Sequence, residues 1–200
     1  MVVVGSGGHY REVMSLIPSE NYVIFDDKNA ICMKFEKKVI TNLSELKEYL
    51  ASEKRFVLAL GGTVNRYTLY KKLYELGGRV CSITAPTANI GRVEVHIEEG
   101  VDILNNVFIS NFVRIGKCTL VNSGVQIHHD CVVGSFCELS PGCIVLGNVS
   151  IGNFTSIGSG AIILPGLQIG NNVVVGAGSV VTKNVTDNSV IFGNPARVQK

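Results

Sequence analysis

Residues 145–175 read VLGNVSIGNFTSIGSGAIILPGLQIGNNVVV, with Val145, Ile151, Ile157, Ile163, Ile169 and Val175 each six positions from the next. Helices repeat every 3.6 residues and strands every two, so a sustained period of six marks a repeat architecture. Followed outward, the column runs back through Leu139, Val133, Ile127, Val121, Ile115, Ile109 and Ile103 to Ile97, and forward to Val181. Fifteen consecutive aliphatic hits in one register are far beyond chance in a chain that is 46% hydrophobic.

The other columns fit the same geometry. Glycine follows the anchor at 116, 134, 152, 158, 170 and 176. Three positions after the anchor stand Asn106, Gly124, Asp130, Gly142, Asn148, Gly160, Gly166, Asn172, Gly178 and Asn184. These residue types best tolerate the left-handed backbone of a tight corner. Four positions after it come Val107, Val113, Thr119, Val125, Val149, Ala161 and Ser179, and in the same column Cys131, Cys137 and Cys143. Small side chains there point inward, and the thiols read as core filler. Three hexads make one coil of a triangular prism, and stacked coils bury each other's apolar columns. The expected fold of this half is a left-handed parallel β-helix. The anchor after Val181 would be Asp187, so the repeat is expected to stop there, before a turn-rich tail at Gly193–Arg197.

Residues 1–86 follow a different pattern. Val2–Val4 is a short strand leading into Gly5-Ser6-Gly7-Gly8-His9 and a helical stretch to about Leu16. Strands are expected at Tyr22–Phe25, Phe56–Leu60 and Arg79–Ile83, and helices at Leu43–Glu53, with Ser44 near its start, and at Asn65–Leu76. Alternating strands and helices imply a small parallel, Rossmann-like α/β sheet, which binds ligands at the carboxyl ends of its strands. The glycines after Val4 suit a phosphate near a helix N-terminus. Asp26 and Asp27 lie about 20 residues further on, where dinucleotide folds place a ribose-binding carboxylate. The full G-x-G-x-x-G pattern fails at Tyr10, which argues against a complete redox dinucleotide site. The domains are therefore read as 1–86 and 87–200.

Composition narrows the function classes. With 18 basic and 16 acidic residues, the chain offers no electrostatic case for nucleic acid or a membrane surface. The opening segment is too short for a signal-peptide core and no apolar run is long enough to span a bilayer, so a cytoplasmic protein is expected. The cysteines, Cys32 and Cys81 among them, form no C-x-x-C pair, and no metal site is expected.

The opening G-S-G-G-H, the Asp26-Asp27 pair, Gly61-Gly62, the hexads and the segment from Asn122 to Cys131 together resemble the sugar O-/N-acyltransferases of the sialic-acid O-acetyltransferase type. That group includes the bacterial UDP-4-amino-sugar N-acetyltransferases. The resemblance covers nearly the whole chain. It implies an acetyl-CoA-dependent enzyme of surface-glycan synthesis, with His129, Asp130 and Asn122 at the transfer centre. It implies a nucleotide-sugar site at Gly5, Ser6, Gly7, Gly8, His9, Asp26, Asp27 and the Gly61 region. It places acetyl-CoA between subunits of a homotrimer, near Ser159, Gly160, Ala161, Gly176, Ala177 and Gly178. Relatives often carry a second histidine nine residues after the first; here that position is Glu138, which bears on acceptor binding.

Among the histidines, His129 sits in an outward column and is followed by Asp130, whereas His128 is the neighbouring candidate for the base. His9 belongs with the nucleotide loop and His96 with the start of the first coil. Acyl transfer from a thioester needs one base and donors for the oxyanion, which a neutral imidazole beside a carboxylate suits. O-acetylation of a sialic-acid-like sugar is the alternative within the group. A scaffold or a metal-dependent carbonic anhydrase is the alternative outside it, and four histidines are few for the latter.

Overall fold

The computed structural model describes residues 1–17, 21–28 and 37–199; Cys32 lies outside the described residues. The chain divides into two compact units, Met1–Ile83 and Thr84–Lys200.

The first unit is a parallel sheet of β1 (Val2–Val4), β2 (Val23–Phe25), β3 (Val39–Ile40), β4 (Arg55–Leu58) and β5 (Arg79–Val80), in the order β3-β2-β1-β4-β5. Val2, Val3 and Val4 are fully buried, as a central strand covered on both faces requires. Among the described residues the helices α1 (Gly8–Val13), α2 (Leu43–Ser52) and α3 (Thr63–Glu75) lie between strands. The cap of α2 is Asn42, whose Oδ1 accepts from Glu45 N at 2.9 Å. Two-residue β3 has too little pattern to stand out in the sequence.

Strand order reverses between β1 and β4, and that switch point is where doubly wound sheets open a crevice. There the loop after β1 approaches β4 closely. Gly5 has φ +100°, and a β-carbon on it would lie 2.9 Å from the Ala59 carbonyl oxygen.

The second unit is a three-sided parallel β-helix. Each side is a ladder of two-residue strands paired 18 residues apart, as in Ile127↔Val145 and Val145↔Ile163. The faces carry eight, six and five strands. Anchors from Ile103 to Val181 line the core with the small inward column, including Cys131, Cys137 and Cys143. Buried hydroxyls in that column are satisfied: Thr119 Oγ1 donates to Gly134 O at 2.8 Å and accepts from Cys137 N at 3.0 Å.

Several expectations need correction. The strand expected at Arg79–Ile83 ends at Val80, and Ile83–Thr84 joins the eight-stranded face of the β-helix. The first coil also contains Ile90, paired with Ile109. It is one residue longer than the next, with the extra residue between Ile90 and the regular corner at Glu94 (φ 51°), so Ile90 falls outside the period of six. At the other end the repeat does not stop at Val181. Val185 bridges Ile169 and Ile191 pairs with Val175, a coil two residues short that takes Asp187 out of register. Asn184 accordingly is not a left-handed corner; Asn188 is, at φ 60°.

The corner column also holds side chains that composition alone would not place there. Phe112, Cys118, Phe136 and Phe154 all have φ between 55° and 59°. Such a conformation costs a bulky residue about 1–3 kcal/mol. Phe136 and Phe154 recover it by stacking, with ring centroids 5.5 Å apart. After Ile191 the chain turns through Asn194-Pro195, and Ala196–Val198 pairs antiparallel with Val190–Gly193.

Candidate active site

In the first unit, Gly5, Ser6 and Gly7 after β1, Phe25 to Lys28 after β2, and Leu60 after β4 surround a cleft of about 440 Å³. One face of α3 completes it with Asn65, Thr68, Leu69 and Lys72. Of the residues expected from sequence, Gly5, Ser6, Gly7, Asp26 and Asp27 line the cleft, whereas Gly8, His9 and Gly61 do not.

The two aspartates do different work. Asp26 Oδ2 accepts from Ser6 N at 3.1 Å and from Ser6 Oγ, and its Oδ1 accepts from Lys28 N at 3.0 Å. Its carboxylate thus clasps the loops after β1 and β2 together. Asp27 instead pairs with Lys72 Nζ at 2.7 Å on the wall of the cleft. His9 meets Glu12 through Nδ1 at 3.1 Å, and its buried Nε2 makes no hydrogen bond among the described residues. Fully buried Arg66 donates from Nη1 to the carbonyls of Leu58 and Leu60, both at 2.9 Å, fixing the end of β4 beneath the cleft. An arginine three residues into a helix gave no sequence signal for that role; the α3 wall was missed for the same reason.

In the second unit, His129 and Asp130 form one corner of the prism. His129 Nδ1 lies 2.8 Å from Asp130 Oδ2, and the imidazole is 64% exposed. Asp130 is itself a left-handed corner residue at φ 60°, a conformation aspartate tolerates. The imidazole lies over Gly147, the residue in the same column of the next coil. His128 by contrast packs edge-on against Phe108, centroids 5.8 Å apart. Cys131 is fully buried and its thiol donates to Leu146 O at 3.1 Å. Burial raises the Cys131 thiol above its ordinary range and pushes Cys143 up to about 12, so neither is a thiolate nucleophile near neutrality.

The other expected residues lie elsewhere on the prism. Asn122 is at the preceding corner, where its Oδ1 accepts from Ser123 N at 2.8 Å. That corner line continues down the coils through Gly142 to Ser159, Gly160, Ala177 and Gly178, joined by Gly160 N to Pro141 O and Gly178 N to Ser159 O. Ala161 is fully buried and Gly176 lies against Phe192, so both offer backbone only. Glu138 sits on the eight-stranded face, paired with Leu120 and Ser156. Within one chain, the His129 corner and the Ser159–Gly178 corner are the two borders of the six-stranded face. Among the described residues no cluster of His, Cys, Asp or Glu could hold a metal, and no helix is long and apolar enough to cross a membrane.

Residues 148–183 match the family model for the bacterial transferase hexapeptide (six repeats). Over its whole length the chain is similar to PerB from Caulobacter crescentus, whose structure holds CoA and GDP-perosamine: 29% identity, all of this chain and 96% of that one, TM-score 0.92. It is similar to WeeI from Acinetobacter baumannii at 28% identity over 99% of this chain and 98% of that one, TM-score 0.91. The acetyltransferase domain of PglB from Neisseria gonorrhoeae, in complex with acetyl coenzyme A, matches at 25% identity over 99% and 98%, TM-score 0.88. The resemblance and the fold class read from the sequence are borne out.

Proposed function

We propose that this protein transfers the acetyl group of acetyl-CoA to an amino group of a nucleotide-linked sugar. The observation that carries this reading is the solvent-facing His129–Asp130 pair seated against Gly147. Asp130 accepts the Nδ1 proton and leaves Nε2 as the base. As the sugar amine attacks the thioester carbonyl, Nε2 takes its proton; the tetrahedral intermediate then expels the CoA thiolate, which recovers that proton from the imidazolium. Asn122 Nδ2 makes no hydrogen bond among the described residues, so it remains a donor for a ligand. The inward, protonated Cys131 argues for direct transfer and against an acyl-enzyme.

The nucleotide binds the cleft of the first unit, over the Gly5–Gly7 loop, with Asp27 and Lys72 on its wall. PerB holds a GDP-sugar, whereas the sequence resemblance pointed to UDP; the base is for titration to decide. Acetyl-CoA runs along the Ser159–Gly178 corner. Because that corner and His129 border opposite edges of one face, a second copy completes the site. The face between them presents Phe108, Ile144, Ile162 and Val180 outward and half-buried, interrupted by the exposed Gln126, a largely apolar surface suited to a closed three-fold assembly. Light scattering should give ~65 kDa, three 21.5 kDa chains.

The test is mass spectrometry of purified protein with acetyl-CoA and a panel of UDP- and GDP-linked amino sugars. A gain of one acetyl group on the amine supports the reading. Acetylation only of a hydroxyl, or of nothing in the panel, overturns it.

A further inference from the structure

Phe112 stands at the corner one coil before the His129–Asp130 pair, and the two rungs are bonded directly: Asp130 N donates to Asn111 O at 3.3 Å. Asn111 is itself held, its Oδ1 accepting from Val93 N at 3.1 Å, so this corner is fixed in place. Phe112 takes the left-handed backbone, φ 59°, which a bulky residue adopts only against strain. At Phe136 and Phe154 the same strain is offset by the stack between their rings, and Phe136 is 7% exposed. Phe112 has no such compensation. It is 51% exposed, and its ring stacks on no aromatic among the described residues. The other corners on this edge are Glu94, Asp130, Asn148 and Gly166, none of them apolar except glycine. A strained, exposed aromatic beside a catalytic pair is a residue kept for what it touches.

We propose that Phe112 is the platform on which the apolar face of the acceptor sugar rests while its amino group meets His129. This rests on the acetyl transfer proposed above and names a specificity residue for it. Neighbouring rungs are ~4.8 Å apart, a span that one hexose bridges. One face of a pyranose presents C–H groups, and a flat aromatic ring gains dispersion and sheds water against them. Phe112 would thus favour acceptors with an uninterrupted apolar face, such as deoxy amino sugars, over fully hydroxylated ones.

The experiment compares wild type, Phe112→Ala, Phe112→Asn and Phe112→Tyr in the full chain, using a UDP- or GDP-linked amino sugar that the wild type acetylates. Loss of the ring should raise KM for the sugar ~10-fold, the effect of half-burying an aromatic. It should leave kcat within ~2-fold, because a platform binds ground and transition states alike. KM for acetyl-CoA and the assembled mass should not change, and Phe112→Tyr should restore the sugar KM. Phe112→Asn should melt above wild type, since asparagine accepts the left-handed corner. An unchanged sugar KM in Phe112→Ala overturns the proposal. So does a smaller assembly or a lower melting temperature in both Ala and Asn variants, which would make Phe112 a packing residue between copies. A wild type inactive on every amino sugar would instead overturn the parent reading.

Discussion

The imidazole of His129 lies so close over Gly147 that a β-carbon on the glycine would stand 2.6 Å from both Cε1 and Nε2. The next coil therefore provides a notch that seats the proposed base, and glycine is the one residue type that leaves it open.

Gly147→Ala should displace the ring and not the backbone, because the group it meets is the end of a side chain with solvent on its other side. The expected result is a kcat lower by roughly 10², since misplacing a base by about 1 Å is that costly. Its melting temperature should stay near wild type. An active Gly147→Ala enzyme would mean that the observed ring position is not the working one.

His129→Ala should lower kcat by roughly 10²–10⁴, the contribution of a positioned acid–base group. His128→Ala should keep most activity, because that ring packs on Phe108. Asp130→Asn should fall between the two, altering the tautomer without removing the ring. Cys131→Ala should still turn over, and no acetylated protein should accumulate when sugar is omitted. Steady-state rates and intact-protein mass spectra decide all four.

Gly160 has φ +66° with open space where a side chain would sit. Gly160→Val should thus cost backbone strain alone, on the order of 1–3 kcal/mol. Chemical denaturation of the variant measures it, and an unchanged midpoint would contradict the corner assignment.

Arg55 forks onto Glu53, Nε to Oε1 at 2.9 Å and Nη2 to Oε2 at 2.7 Å, and these bonds hold the Glu53 carboxyl down to about 2 from its ordinary 4.5. A carboxyl depressed in the fold adds stability that is complete above the ordinary value and lost as pH falls through the depressed one. Glu53→Gln should therefore melt below wild type near neutrality and converge with it as pH falls from 4.5 toward 2. The pair is exposed, so high salt should shrink the gap. A constant difference across that range would rule out the carboxylate as its source.

The β-helix was legible because each anchor depends only on its own column: Ile97 to Val181 repeat without reference to anything distant. What broke the pattern was a change of coil length, which shifts Ile90 and Val185 out of phase while their pairing with Ile109 and Ile169 survives. Phe112, Cys118, Phe136 and Phe154 escaped because residue type argues against a left-handed corner, and neighbouring coils override it. At the site, His129 and Asp130 were readable as a pair of outward neighbours. Gly147 was not, because its meaning depends on a ring 18 residues earlier. Asp26 and Asp27 were readable by spacing and both line the cleft, but the bonds of Asp26 to Ser6 and Lys28, which clasp two loops together, could not be read from the sequence. Arg66 and Lys72 could be placed only once α3 was laid against β4.

Every strand of the eight-stranded face runs parallel to its neighbour until Ala196–Val198 reverses direction on the edge of Val190–Gly193. A stack of parallel rungs is by nature open to further growth, since the last rung offers another molecule's first rung the same ladder of donors and acceptors. The reversed strand already occupies the outer edge of Val190–Gly193, so an incoming rung meets only the three-residue edge Ala196–Val198 in its place. On this face the short hairpin is thus a guard against fibre formation: it lets copies meet side by side while denying them end-to-end polymerisation.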